Sequence, residues 1–138
     1  LEALAAELGV ADDIDLPGFT PNPYAWMAKA NLFVLSSAWE GSPNVLTEAL
    51  ALGVPSVATD CPSGPREVLA GGRFGALVPV GDAAGLGQAM IDTLAAPLPA
   101  EELKSAVAEY SREASASAYL AALGLNAEAG DNSGRGET

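Results

Sequence analysis

The chain has 138 residues, enough for one compact domain and too few for two. Its 18 acidic and 6 basic side chains leave a net charge of −12, which argues strongly against a nucleic-acid backbone or an anionic membrane as partner, since both need a basic face. With no histidine and a single cysteine, Ser-His, Cys-His and His-metal chemistry, an internal disulfide and a multi-cysteine metal cluster are excluded within this chain. Apolar residues at 49% against 17% charged mark a globular composition. No apolar run approaches the roughly 18–20 residues of a membrane span; the longest, Ala49 to Ala58, is broken by Gly53 and Pro55. The first segment, LEALAAELG, is amphipathic and acidic and lacks the basic n-region of a signal peptide.

In chain order, Leu1, Leu4, Ala5 and Leu8 share one helical face, and Gly9 is a natural stop. Ile14 to Phe19 reads as a short extended strand, left through Pro17 and Gly18, and Thr20 to Pro23 as a loop. Tyr24 to Ala30 is a short helix with Tyr24, Met27 and Ala28 inward. Leu32 to Leu35 is continuously apolar, as in a strand buried on both faces. The loop from Ser36 to Ser42 leads to a helix over Asn44 to Leu52, closed by Gly53. Strands at Val54 to Thr59 and Ala76 to Val80 flank a turn at Cys61 to Pro65 and a short helix at Arg66 to Ala70. Ala84 to Leu94 is a helix, and a last one runs from Glu101 to about Leu123 after the APLPA link.

Strands that alternate with helices, and are themselves apolar throughout, predict an α/β fold: a Rossmann-like parallel sheet with helices on both faces. The folded domain spans 1–125, and the polar residues 126–138 form a disordered tail. Ligands of such sheets bind at the carboxyl ends of the strands, so function belongs to the loops after Phe19, Leu35, Thr59 and Val80.

The most informative stretch is SSAWEGSPNVLTEALALGVPSVATD. Ser42 can cap the helix, and Pro43 suits its first position. The amides of Asn44, Val45 and Leu46 then point into the crevice, where a helix start favours an anion such as a diphosphate. Glu48 lies one turn after Asn44 on the same face, opposite a buried arc of Val45, Leu46, Ala49, Leu50 and Leu52. Glu40 sits in the loop just ahead, so two carboxylates converge on one crevice. Carboxylates accept hydrogen bonds in pairs, which suits the vicinal diols of sugars. Spacing alone leaves the bland alternative open, with Glu48 a border residue and Glu40 a solvated loop acid.

The same stretch resembles the E-x7-E signature of glycosyltransferase family 4, retaining enzymes of the GT-B fold, with Glu40 and Glu48 at its two glutamate positions. NLFVLSS, CPSGPREVL, GALVPVGD and DLPGFTPNPYAWMAKA resemble the family's flanking segments, so the likeness covers residues 1–123. It implies that Glu48 binds the ribose hydroxyls of a nucleotide-sugar donor and that Glu40, the catalytic candidate, contacts the transferred sugar. Backbone amides across Gly41, Ser42, Asn44 and Val45 would hold sugar hydroxyls and diphosphate, and the main chain at Phe19 and Thr20 would face the base. Pro43 departs from the aromatic-plus-glycine pattern common at this point and removes one donor.

The resemblance further implies transfer from a UDP-sugar or GDP-sugar with retention, without metal or cofactor, in bacterial polysaccharide biosynthesis. The acceptor, a glycan or lipid-linked sugar, would be held by an N-terminal domain absent from this chain, in a cytoplasmic protein peripheral to the inner face of the membrane. Leu1 then reads as a truncation point. Two strands, and the Arg and Lys that neutralise the diphosphate, would lie upstream, leaving an incomplete C-terminal half that is inactive alone. The alternatives are a non-catalytic nucleotide-sugar-binding module acting with a partner chain, an epimerase-like relative, and a decayed fragment.

The remaining candidates carry less. Cys61 has no basic partner for a thiolate and reads as a small semi-buried residue. Arg66 could reach a phosphate but fits a surface ion pair better. Gly64 fits a positive-φ turn. Trp26 and Trp39 read as packing residues.

Overall fold

The structure, a computed structural model, describes residues 1–125. The tail expected at 126–138 lies outside them. Three short strands, β1 (Phe33–Leu35), β2 (Ser56–Thr59) and β3 (Ala76–Val78), form one parallel sheet in that order. Leu35 pairs with Ala58, and Ala58 with Leu77. Side chains alternate between the faces of a strand, yet all four residues of β2 are buried. Both faces are therefore covered, which is why the strand sequences are apolar without alternation.

Helix α1 (Glu2–Glu7) and helix α2 (Pro23–Met27) precede the sheet. Asn22 caps α2 by accepting from the Ala25 amide at 3.3 Å, and Pro23 at its first position loses no helical hydrogen bond. Helix α3 (Asn44–Ala51) joins β1 to β2, and α4 (Pro65–Val68) joins β2 to β3. Helix α5 (Ala83–Ala95) crosses β2 and β3, its start capped by Asp82, which accepts from the Gly85 amide at 2.8 Å. Helix α6 (Ala100–Ala106) packs on α3, and α7 (Arg112–Ala122) ends the described chain.

The core lies between the sheet and α3, α4 and α6. Leu46 and Leu50, one turn apart on α3, are fully buried with Leu35, Ala58, Val68, Leu69, Leu103 and Val107. Each such leucine contributes about 1.5–3 kcal/mol by leaving water. Leu52, expected on this arc, is exposed.

Two expected elements differ. Ile14 to Phe19 forms no strand: among the described residues it pairs with no neighbour, and Ile14, Leu16 and Phe19 are exposed. A strand without a partner leaves its backbone groups to water. The final helix is also broken. Val107 closes α6, Ala108–Tyr110 form a 3-10 turn, and Ser111 turns extended (φ −65°, ψ 155°) to cap α7 through the Ala114 amide at 3.1 Å. The serine hydroxyl ends one helix by starting the next.

Candidate active site at the carboxyl end of the sheet

The chain leaves β1 and β2 at the same end of the sheet. The loop after β1 carries Glu40 and leads into α3, which carries Glu48. The loop after β2, residues 60–64, leads into α4.

Glu40 is half-buried. Its Oε1 accepts a hydrogen bond from the Ser37 hydroxyl at 2.6 Å, and its carbonyl oxygen accepts from the Ser63 hydroxyl at 2.8 Å. Thr59, the last residue of β2, donates from Oγ1 to the Ser37 carbonyl at 2.5 Å and lies 3.2 Å from the Leu35 carbonyl. The two loops interlock at Gly64, which has φ +82° as its sequence suggested. A Cβ there would come within 2.5 Å of Pro43 Cδ and 3.0 Å of the Gly41 carbonyl oxygen, so only glycine lets Pro43 seat itself.

Glu48 is also half-buried. Its Oε1 accepts from the Tyr24 hydroxyl of α2 at 3.0 Å. That hydrogen bond, and then the Glu48 charge, raise the Tyr24 phenol above its ordinary pKa. Tyr24 was expected to point inward for packing. It is instead about half exposed and serves as a polar partner of a site carboxylate. Sequence spacing gave no signal for this, because the contact bridges 24 positions.

The start of α3 differs from expectation. Pro43, buried, is itself the capping residue, and no side chain caps the helix; Ser42 is exposed. The Asn44 amide donates to the Ser42 carbonyl at 2.9 Å and the Leu46 amide to the Pro43 carbonyl at 2.9 Å. Of the three amides expected to be free, the Val45 amide alone lacks a backbone acceptor. A tight turn at Ser42–Asn44, set by the proline, consumes the others.

Phe19 and Thr20 lie on the segment entering α2. Phe19 is 93% exposed and Thr20 half-buried, and among the described residues no hydrogen bond ties either to the Glu40 loop. The structure thus brings Glu40, Gly41, Ser42, Asn44, Val45 and Glu48 to one loop and helix and leaves Phe19 and Thr20 untied to them. Arg66 pairs in bidentate fashion with Asp60, its Nε 3.0 Å from Oδ1, as a surface ion pair. Cys61 is buried. Trp39 is 79% exposed and Trp26 is exposed, so neither packs as expected.

A parallel sheet covered by helices, with a pair of glutamates on the loop and helix after one strand, defines a Rossmann-like half of the GT-B type. The comparisons agree. The family model described as "Glycosyl transferases group 1" matches residues 1–96, and the chain belongs to that family. A lipopolysaccharide core biosynthesis glycosyltransferase of Rhizobium meliloti is 33% identical over 128 residues, which are 89% of this chain and 37% of that protein. The N-acetylgalactosamine-N,N'-diacetylbacillosaminyl-diphospho-undecaprenol 4-alpha-N-acetylgalactosaminyltransferase of Campylobacter jejuni is 45% identical over 80 residues, 58% of this chain and 22% of that protein. The apo form of the lipopolysaccharide outer core galactosyltransferase WaaB has the same fold, with a TM-score of 0.73 over 82% of this chain and 33% of that one, at 23% identity. The chain spans between about a fifth and two fifths of the length of these proteins. Among the described residues no helix is long and apolar enough to cross a membrane.

Proposed function

We propose that this chain is the C-terminal, donor-binding part of a retaining family 4 glycosyltransferase, which moves a sugar from a nucleotide diphosphate to an acceptor. The observation that carries this reading is the placement of Glu40 and Glu48 on the loop and helix that follow β1, at the strand ends where ligands of such sheets bind. Glu48 takes the ribose hydroxyls through its carboxylate, and Glu40 contacts the transferred sugar. The amides of Gly41, Ser42 and Val45, unclaimed by backbone acceptors among the described residues, are the donors left for sugar hydroxyls and diphosphate. Phe19 and Thr20 face the base through their main chain.

Positioning and electrostatic stabilisation of the departing diphosphate are the protein's share of catalysis. The start of α3 supplies only part of it, because an exposed helix N-terminus is worth about 0.3–1 kcal/mol toward an anion. A chain of net charge −12 repels a ligand that is itself an anion. The remaining cations, and the surface for a glycan or lipid-linked acceptor, belong to other parts of the polypeptide, which acts from the cytoplasm at the inner face of the membrane. No metal takes part. The names of the Campylobacter and WaaB relatives make N-acetylgalactosamine and galactose the first donor sugars to try.

Calorimetry with UDP and with GDP, on this chain and on Glu48→Ala, tests the reading. Saturable binding of one nucleotide, weakened by Glu48→Ala, is the expected result. Binding that Glu48→Ala leaves untouched would move the ribose site elsewhere.

A further inference from the structure

A carboxylate on a loop has many rotamers, and one that meets a reacting sugar has to be held to within about half an ångström. Here the holding is built from three hydroxyls. The Ser37 hydroxyl has one proton to give, and it gives it to Glu40 Oε1 at 2.6 Å, the short distance of a hydrogen bond to a charged acceptor. Ser37 is in turn fixed through its carbonyl by Thr59, which is buried at the end of β2 and stiff at χ1 because it is β-branched. Ser63, in a left-handed conformation with φ +58°, reaches the Glu40 carbonyl from the opposite loop, its one proton shared with the Pro62 carbonyl at the same 2.8 Å. Among the described residues no group donates to Glu40 Oε2. One oxygen is thus anchored and the other left for a ligand.

We infer that Ser37, backed by Thr59, is a positioning residue that fixes the Glu40 carboxylate with Oε2 toward the transferred sugar. This rests on the reading of Glu40 as the sugar-contacting acid. It assigns to Ser37, two residues before Trp39, and to the threonine ending β2 a role in turnover and not in donor affinity. Either residue would otherwise be a loop-closing or strand-ending hydroxyl, whose loss affects stability alone.

The test is steady-state transfer from UDP-N-acetylgalactosamine and UDP-galactose by the full polypeptide that carries residues 1–138. Glu40→Gln, Ser37→Ala, Ser37→Thr, Thr59→Val and Thr59→Ser are compared, with thermal melts run alongside. The expected result is a roughly ten- to hundredfold loss of kcat in Ser37→Ala, the scale of a misplaced catalytic group, with the donor KM unchanged and the melt preserved. Ser37→Thr, which keeps the hydroxyl, restores most of the rate, and Thr59→Ser outperforms the nearly isosteric Thr59→Val. An unchanged kcat in Ser37→Ala, beside an inactive Glu40→Gln, overturns the inference and leaves the role of Glu40 standing. So does a loss that Ser37→Thr does not recover. Full activity in Glu40→Gln removes the reading on which the inference rests.

Discussion

Residues 33–107 and residues 1–30 both carry apolar side chains and treat them differently. In the first region Leu46, Leu50, Leu69 and Leu103 are fully buried against one another and the sheet, and Val57 is fully buried within the sheet. In the second, Leu1, Leu4, Leu8, Ile14, Leu16, Phe19 and Trp26 are exposed, and Ala5 is the buried exception. The amphipathic stripe of α1 is as regular as that of α3, so local pattern does not separate the two. What separates them is whether a second layer exists for the stripe to meet. A helical stripe states a requirement for a partner and does not supply one.

The largest test of this contrast removes volume from each side. Leu50→Ala is expected to destabilise the chain by about 2–5 kcal/mol, and Leu4→Ala to change it by less than about 0.5 kcal/mol, in paired urea titrations. Equal effects would erase the distinction. Next comes the loop interlock. Gly64→Ala meets both a positive φ and the Pro43 ring, and costs about 1–3 kcal/mol. Gly18→Ala has φ +74° with open space around it and costs only the conformational part, about 1–2 kcal/mol. Ser111→Ala removes the cap of α7 and is worth about 1 kcal/mol, read as faster amide exchange confined to residues 112–122. Arg66→Ala breaks an ion pair whose arginine is 63% exposed, and is expected to shift stability by less than about 1 kcal/mol.

The smallest effect is a titration. The raised Tyr24 pKa belongs to the protonated phenol that donates to Glu48. The contact is therefore fully present below the ordinary tyrosine value of about 10 and is lost as pH rises through the folded value. In Glu48→Gln the tyrosinate absorbance of one tyrosine is expected to appear at lower pH, the charge being gone. An unchanged titration curve would mean that Tyr24 and Glu48 do not meet in solution.

Much of the fold was legible in the sequence, for stated reasons. The runs FVL and SVAT announced strands covered on both sides; SVAT is the central, fully buried strand, whereas FVL forms an edge strand in which Leu35 alone is fully covered. Leu46, Ala49 and Leu50 announced the buried face of α3. The strand expected at Ile14 to Phe19 failed because strand formation depends on a neighbour that no local pattern reveals. The long last helix failed because Ser111 was read as a helix residue, when its hydroxyl competes for the backbone. In the candidate site, the positions of Glu40 and Glu48 follow from one helix boundary and so were readable. The turn that consumes the Asn44 and Leu46 amides, and the Tyr24, Ser37 and Ser63 partners, depend on side-chain reach between loops. Spacing carries no trace of that.

Tyr24 also joins the two regions thermodynamically. Its bond to Glu48 is, among the described residues, the one side-chain hydrogen bond between residues 1–30 and the rest of the chain. A molecule that competes with the phenol for that oxygen weakens the tie to α2, whereas one that takes the other oxygen leaves the tie in place. Linkage is reciprocal, so whatever fastens or loosens α2 changes affinity at Glu48 by the same factor. A cross-link or a truncation that disturbs α2 would thus be felt on α3 through the Tyr24–Glu48 bond.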